Sequence, residues 1–445
     1  MLLRSHSFGL IVFFACLTVL GCKREIIADY FEPRNDHEAY LHSLDQVNLL
    51  STALGRDWLD AATFSLEQPI QIAVPYLEAF YFDPTAPLAN GYIFSVKRGQ
   101  KVEISVIGQN ADYTKLFMDL FLFDSMQEQT LDHVATSATG SQLIGFEPRM
   151  DGDYLLRLQP ELLRGGRFTL SIKVVAALSF PVQEGKNYDI GGLFGDPRDG
   201  GRRKHHGIDI FAKRFTPILA PTDGRIRFAG ERGLGGQVVW MRDQERDLTL
   251  YFAHLQTIVV TDGMQVQRGD TLGTVGNTGN AQATAPHLHF GIYQDGPIDP
   301  YYFVAHTKIG PNSIKVDDSL VGEKVRMSKA GIFSSLEGQT CGQNLLLEKY
   351  QLLEIQAATT HQYRVRLPDG MVGLIEPGVL EQISQPLAET KSLGQIQLLD
   401  RPDTDSSVIG EIGYQVSIGI LAKNQDHWYV DLASGRRGWM ISSDL

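Results

Sequence analysis

A mainly β, multidomain chain is the fold class predicted: an N-terminal helix, a β-sandwich-like domain, an antiparallel-β domain and two small β-barrels. Three observations predict it. At 445 residues the chain is too long for one hydrophobic core, so roughly two to four domains are expected. Short runs rich in Val, Ile, Leu, Tyr and Phe recur from about residue 66 onward, bounded by Gly, Asp and Pro, which is the pattern of strands joined by turns. A hairpin-like phrase near the C-terminus occurs twice. Ordinary apolar and charged fractions exclude wholesale disorder. The formal net charge of −12 excludes a nucleic-acid binder and simple electrostatic attachment to an acidic polymer.

Residues 1–21 read as a targeting segment. Arg4 supplies the positive end, and the apolar run from Leu10 to Leu20 is too short to span a bilayer as a helix. Val19-Leu20-Gly21-Cys22, followed by Lys23-Arg24-Glu25, resembles the lipobox of bacterial lipoproteins. That pattern usually has Leu where Val19 stands and a small residue where Leu20 stands. The resemblance implies cleavage before Cys22 and lipidation of its thiol, with enough acyl chains for stable anchoring. It also implies a bacterial cell-envelope location. Lys23 is not the Asp that retains lipoproteins in the inner membrane, so a Gram-negative host would place the protein on the outer membrane, facing the periplasm. With Cys16 removed and Cys22 acylated, only Cys341 remains, so no intrachain disulfide is expected. Cys341 has no local His or Cys partner and reads as a structural or incidental thiol.

Residues 22–65 read as a tether and a helix. Asn35 and Glu38 form a capping box, and Leu41, Leu44, Val47, Leu50 and Leu54 recur at helical spacing. A helix from Asp36 to Leu54, ended by Gly55, is expected. Residues 66–178 carry strand runs at Tyr92–Val96, Val102–Val106, Leu116–Phe123, Tyr154–Leu158 and Phe168–Ile172. This spacing predicts a β-sandwich-like accessory domain, with no catalytic constellation in it. Residues 181–306 are rich in Gly and in strand-forming residues. Beyond them, Tyr363-Arg-Val-Arg-Leu-Pro-Asp-Gly370-Met-Val-Gly373 aligns without gaps with Trp428-Tyr-Val-Asp-Leu-Ala-Ser-Gly435-Arg-Arg-Gly438. Each is an aromatic-initiated strand, a Gly-bearing turn and a second strand, hence a β-hairpin. Its duplication predicts two copies of a small domain, residues 322–384 and 390–445. The pattern, completed by Gly438-Trp439, resembles bacterial SH3-like domains, which implies two small SH3-like barrels that bind wall peptides or serve only as spacers.

The chemistry concentrates in three phrases: His205-His206-Gly207-Ile208-Asp209, Tyr251-Phe252-Ala253-His254-Leu255 and Pro286-His287-Leu288-His289-Phe290. Two imidazoles and a carboxylate can hold Zn²⁺ and leave its fourth position open to water, and two further histidines can then manage protons. Gly207 and the β-favouring Ile208–Phe211 predict a turn leading into a strand. Period-two alternation sends His287 and His289 to one face. Arg198, Arg202, Arg203 and Lys204 form a basic lead-in, read either as a solvated loop or as a contact for a substrate carboxylate.

In this order the three phrases resemble the lysostaphin/LytM-type zinc metallopeptidases, which cleave peptidoglycan peptides. The stretches Thr216–Gly224 and Gly269–Gly279 follow the same family, and Thr284-Ala285-Pro286 departs from its usual Thr-Gly-Pro. The resemblance covers about 125 residues and implies an antiparallel-β peptidase domain over 181–306. Carried over position by position, it makes His205, Asp209 and His289 the metal ligands, with one Zn²⁺ per chain. His206 is then a neighbour rather than a ligand. His254 and His287 become the catalytic histidines, with base and oxyanion donor undivided between them. The implied partners are peptidoglycan and, through Cys22, the membrane, with no nucleic acid. The implied function is a zinc-dependent endopeptidase acting on stem peptides or cross-bridges. The alternative is a non-catalytic wall-binding regulator of a separate hydrolase, which the filling of all five positions disfavours.

Overall fold

The computed structural model describes residues 35–109, 114–124, 130–306, 310–336, 343–403 and 405–444. The targeting segment, Cys22, the tether and Cys341 lie outside them. Helix α1, Asp36–Gln46, begins as expected: the Asn35 side chain accepts the Glu38 amide at 2.8 Å. It does not continue to Leu54. Asn48 takes a left-handed conformation (φ 58°), and helix α2, Ala53–Glu67, starts under a Thr52 cap. Gly55 therefore opens a helix instead of closing one. A Cβ there would come within 2.1 Å of the Leu49 carbonyl oxygen, so the glycine permits the tight α1–α2 turn. The second helix escaped the sequence reading because its buried face, Trp58, Ala62 and Ser65, is mostly small residues.

Trp58 fixes both helices to the sandwich. Its indole is 1% exposed, donates to the Pro160 carbonyl at 2.9 Å and stacks on the His37 ring at 4.8 Å. His37 is bonded to Gln159 through Nε2 at 2.7 Å. Burial, then the nearby Arg157 charge, lower the His37 pKa to about 4, against smaller raising contributions from Gln159, Asp119 and Glu38. The folded state thus holds His37 neutral, while the unfolded chain binds a proton below about pH 6.5. Its contribution is complete above about pH 6.5 and is lost as pH falls toward 4, by roughly 3 kcal/mol at most. Urea midpoints measured at pH 7.5 and 4.5 should fall with acidification, and His37→Gln should flatten that difference.

The accessory region is a sandwich of two sheets. One has the order Ile70–Gln71, Asn90–Val96, Gly152–Pro160, Leu116–Asp124, Thr130–Thr136. The other runs Tyr76–Phe82, Gly166–Ala176, Gln100–Gln109, Leu143–Phe146. Phe80, Phe94, Val102, Ile104, Leu156, Phe168 and Leu170 fill the space between them. The second sheet then continues into the C-terminal region. Strand Tyr76–Phe82 pairs with Leu352–Ala358, Ala79 opposite Ala358 and Phe80 opposite Ala357, giving an 11-stranded sheet. Across this seam the Arg364 guanidinium donates to Glu78 at 2.9 Å, both side chains being buried.

Both repeated phrases do form hairpins: Tyr363–Arg366 pairs with Val372–Ile375, and His427–Leu432 with Arg437–Ile441. Separate closed barrels are not what the described residues form. The first repeat belongs to the shared 11-stranded sheet, and the second lies in a six-stranded sheet whose strand path stays open.

Between these regions in sequence lies a 10-stranded antiparallel sheet with the central order Ile208–Phe211, His287–Tyr293, Leu248–Ile258, Gln237–Asp243, Gly224–Glu231. Ile208, Ile210, Leu250, Phe252, Leu288, Phe290 and Ile292 belong to its buried core. The sandwich grips one end of this sheet. Arg246, just before Leu248–Ile258, makes a two-pronged pair with Glu147 at 2.8 and 2.9 Å, and Arg98 bonds Gln294. At the other end, Ala253 faces His289. Four residues of strand, about 13 Å, separate that end from the Thr249–Tyr293 pair beside the grip.

Candidate metal centre

The antiparallel register places Asp209 directly opposite His289, and Phe211 opposite His287. His205 enters from the extended segment just before the strand. Its Nε2 lies 2.8 Å from His289 Nδ1 and 3.0 Å from Asp209 Oδ1, and His289 Nδ1 lies 3.0 Å from the same oxygen. His206, next in sequence, is exposed. Gly207 allows the close fit: a Cβ there would meet the Phe290 carbonyl oxygen at 2.4 Å and the His289 ring at 2.8 Å.

Three ligand atoms converge, two nitrogens and one carboxylate oxygen, all within 4.8 Å of one another. Tetrahedral Zn²⁺ with bonds of about 2.0–2.1 Å needs donor separations of about 3.3 Å. The observed spacings need only a few tenths of an ångström of expansion. The surrounding bonds also suit a metal. His205 Nδ1 lies 2.8 Å from the Leu193 carbonyl; donation there leaves Nε2 with its lone pair toward the cluster. Arg198 donates to Asp209 Oδ2 at 2.7 Å, which leaves Oδ1 for the cluster. Gly192 makes room for this pair, since a Cβ would come within 2.7 Å of Oδ2 and 2.8 Å of the guanidinium. Burial works to raise the Asp209 pKa, but the His205 and His289 rings beside it outweigh that and hold the carboxyl well below the usual range. Burial also lowers His289, against its bond to Asp209.

His254 and His287 form the other wall. Regular alternation would turn His254 inward with Phe252, because Ala253 already shares the face of His289. Instead the register slips by one residue: Gln237 pairs with Leu255 while Val239 pairs with Phe252. His254 sits in this bulge with φ 64°, a left-handed conformation rare outside glycine and common at functional sites. The bulge brings its ring to 5.1 Å from His287 and 6.0 Å from His289. His254 Nδ1 lies 2.9 Å from the Thr278 carbonyl and His287 Nδ1 lies 2.9 Å from that of Ala285. Both Nδ1 protons are thereby directed to backbone, and each Nε2 is free to act. His287 Nε2 is 3.9 Å from Asp209 Oδ1. Burial, then the neighbouring His287, lower the His254 pKa to about 4, so it is a neutral proton acceptor at ordinary pH.

All five residues named from the sequence therefore meet in one cluster. The sequence reading missed the Arg198–Asp209 bond and the three orienting carbonyls. The first depends on a two-residue hairpin, Pro197–Arg198 with Arg203–Lys204, and backbone carbonyls leave no side-chain signature.

Residues 203–300, which include His205, Asp209, His254, His287 and His289, match peptidase family M23. The chain carries a peptidase family M23 domain. Among relatives, an L-Ala–D-Glu endopeptidase of Bacillus subtilis is 34% identical over 136 residues, 28% of this chain and 41% of that protein. A DD-carboxypeptidase/endopeptidase, Mpg, of Neisseria meningitidis serogroup B is 40% identical over 99 residues, 22% of each chain. The chain thus spans less than half of the length of these relatives. The solved catalytic domain of lysostaphin from Staphylococcus simulans is 28% identical, covering 28% of this chain and 98% of that one with a TM-score of 0.25.

Proposed function

We propose that this protein is a zinc-dependent endopeptidase that hydrolyses amide bonds in peptidoglycan stem peptides or cross-bridges. The observation that carries this reading is the division of labour within the cluster. His205, Asp209 and His289 present three converging donors, while His254 and His287 stand beside them with their Nδ1 atoms tied to backbone. Zinc held by the three donors would supply a Lewis acid for the scissile carbonyl and make water acidic enough to attack near neutral pH. The chain's own residues then handle the protons. Nε2 of one of the two histidines accepts the proton of the attacking water and delivers it to the leaving amine, while the other donates to the developing oxyanion when it carries a proton on Nε2 as well as on Nδ1. Arg198, bonded to Oδ2, keeps Asp209 oriented throughout.

This reading also takes residues 1–21 as a lipoprotein signal and Cys22 as the lipid-bearing residue, which places the enzyme in the bacterial envelope. The accessory sandwich and the SH3-like repeats then hold the M23 domain against the wall. Relatives named as endopeptidases, one of them a peptidoglycan DD-endopeptidase, support the substrate class, and the filled set of five positions argues against a purely regulatory role. The test is digestion of purified sacculi by the soluble mature protein, followed by mass analysis of released fragments. Zinc-loaded protein should release fragments with new amino termini, a chelator should abolish release, and added zinc should restore it. Intact sacculi after incubation with fully loaded protein would overturn the proposal.

A further inference from the structure

We infer, building on the endopeptidase reading, that Asn277 is a positioning residue for the two proton-handling histidines. Its carboxamide, held by Arg214, fixes the loop that carries both of the carbonyls on which their rings are hung. His254 Nδ1 lies 2.9 Å from the Thr278 carbonyl, and His287 Nδ1 lies 2.9 Å from that of Ala285. Both carbonyls belong to the connection between strands Thr271–Val275 and His287–Tyr293. A ring oriented through one hydrogen bond is placed no better than its acceptor. The Thr278 end has its own anchors: the hydroxyl donates to the Leu255 carbonyl at 2.9 Å and accepts the Gln237 amide at 3.0 Å. The Ala285 end lies past the short helical turn Gly279–Ala281, after a run of exposed residues from Gln282. Asn277 spans that gap. Its Nδ2 donates to the carbonyls of Gln282 and Thr284, each at 3.2 Å.

Chemistry fixes which way the amide points. A guanidinium carries donors and no acceptor, so the atom that meets Arg214 Nη2 at 2.8 Å is the Asn277 oxygen. Both N–H bonds of Nδ2 are thereby directed to the two loop carbonyls. The other arm of Arg214 donates to the Gln256 side chain, two residues beyond His254 on the same strand. These segments also close on one another at Gly276. A Cβ there would come within 2.5 Å of the Gln256 nitrogen and 2.8 Å of the His254 carbonyl oxygen, and the Gly276 carbonyl accepts the His287 amide at 3.0 Å. Asn277 thus follows the residue at which the backbones of both histidines meet. The metal donors are oriented by other groups, the Leu193 carbonyl for His205 and Arg198 for Asp209. Loosening the loop therefore reaches the proton-handling rings and leaves the donor triangle alone.

Asn277→Asp is the discriminating variant. It keeps the shape and the acceptor for Arg214, but sets a carboxylate oxygen against two carbonyls where an N–H donor stood. In the zinc-loaded mature protein it should lower kcat for a synthetic stem peptide by about 10- to 100-fold, as for catalytic groups misplaced by up to about 1 Å. KM and zinc content should stay unchanged. Arg214→Ala should lower kcat in the same sense, yet add less than about twofold in an Asn277→Ala background, because it acts through the carboxamide. Ring ¹⁵N spectra of His254 and His287 give a readout independent of turnover. Wild type should show each Nδ1 protonated and each Nε2 bare, and Asn277→Asp should mix the two tautomers at His287. Unchanged kcat in Asn277→Asp, a loss that merely tracks zinc content, or ring spectra identical to wild type would overturn the assignment. If wild type hydrolyses no peptide, the endopeptidase reading falls, and the spectra alone decide whether Asn277 positions the rings. Should Asn277→Asp fail to fold, the exposed Arg214 carries the test: wild-type rates and ring spectra in Arg214→Ala would refute the clamp.

Discussion

Replacing His254 or His287 with alanine is expected to lower amide hydrolysis by about 100- to 1000-fold, the cost of removing one oxyanion donor in a comparable site, while zinc stays bound. The two effects separate because the rings stand beside the donor triangle without belonging to it: His287 Nε2 remains 3.9 Å from Asp209 Oδ1, and His254 is bonded to Thr278. Asp209→Ala should do the opposite and lose the metal, since it removes the oxygen that His205 and His289 both face at 3.0 Å. Metal content by mass spectrometry and turnover of one peptide substrate, measured on the same preparations, check both statements. Near-wild-type turnover in either histidine variant would remove that residue from the mechanism. Full zinc occupancy in Asp209→Ala would remove the carboxylate from the ligand set. His254→Gly is informative as well. The left-handed backbone at this position favours glycine, so that variant should fold at least as well as His254→Ala while turning over equally little substrate.

What the sequence revealed and what it hid follow from the range of the interactions. His287 and His289 were readable because alternation over two residues is a local property of extended chain, and the observed strand keeps it. The position of Asp209 opposite His289 is a register, which no local pattern fixes. The placement of His254 was less legible still. Read as a plain strand, Tyr251-Phe252-Ala253-His254 sends the histidine into the core with Phe252; only the one-residue slip against Gln237–Val239 turns it outward. The strand content of the accessory region and both C-terminal hairpins were legible from turn residues and alternation. Their merger into one sheet was not. It rests on Ala79, Phe80, Ala357 and Ala358, small or ordinary strand residues whose partners lie far away in sequence. For the same reason the single long helix was an error: the leucine spacing continued past Gln46, but close packing at Gly55 required a turn.

Arg364→Ala is expected to destabilise the sandwich and the first C-terminal segment together, by about 3–5 kcal/mol, because it strands a buried carboxylate. Glu78 is fully buried. Its Oε2 accepts from Arg364 at 2.9 Å and from the Tyr76 hydroxyl, and its Oε1 accepts from the Tyr92 hydroxyl at 2.8 Å. Burial opposes the charge on Arg364, but Glu78 and the two tyrosines outweigh it and raise the guanidinium pKa. Removing one partner leaves the other without compensation in a site closed to water. Removing both is a different matter, since a well-packed apolar pair often replaces a buried ion pair at little cost. Glu78→Leu/Arg364→Met should therefore recover much of the stability lost in Arg364→Ala. Urea unfolding followed by tryptophan fluorescence and by far-ultraviolet circular dichroism gives the measurement. In Arg364→Ala the two probes should shift together, because strands on both sides of the seam share one hydrogen-bonded sheet. A C-terminal segment that melted alone, leaving the sandwich transition in place, would show that the seam is a contact between separate domains. If the probes move together, residues 76–82 and 352–358 fold as one unit. The M23 domain is then gripped through Arg246–Glu147 by a scaffold assembled from sequence on both sides of it.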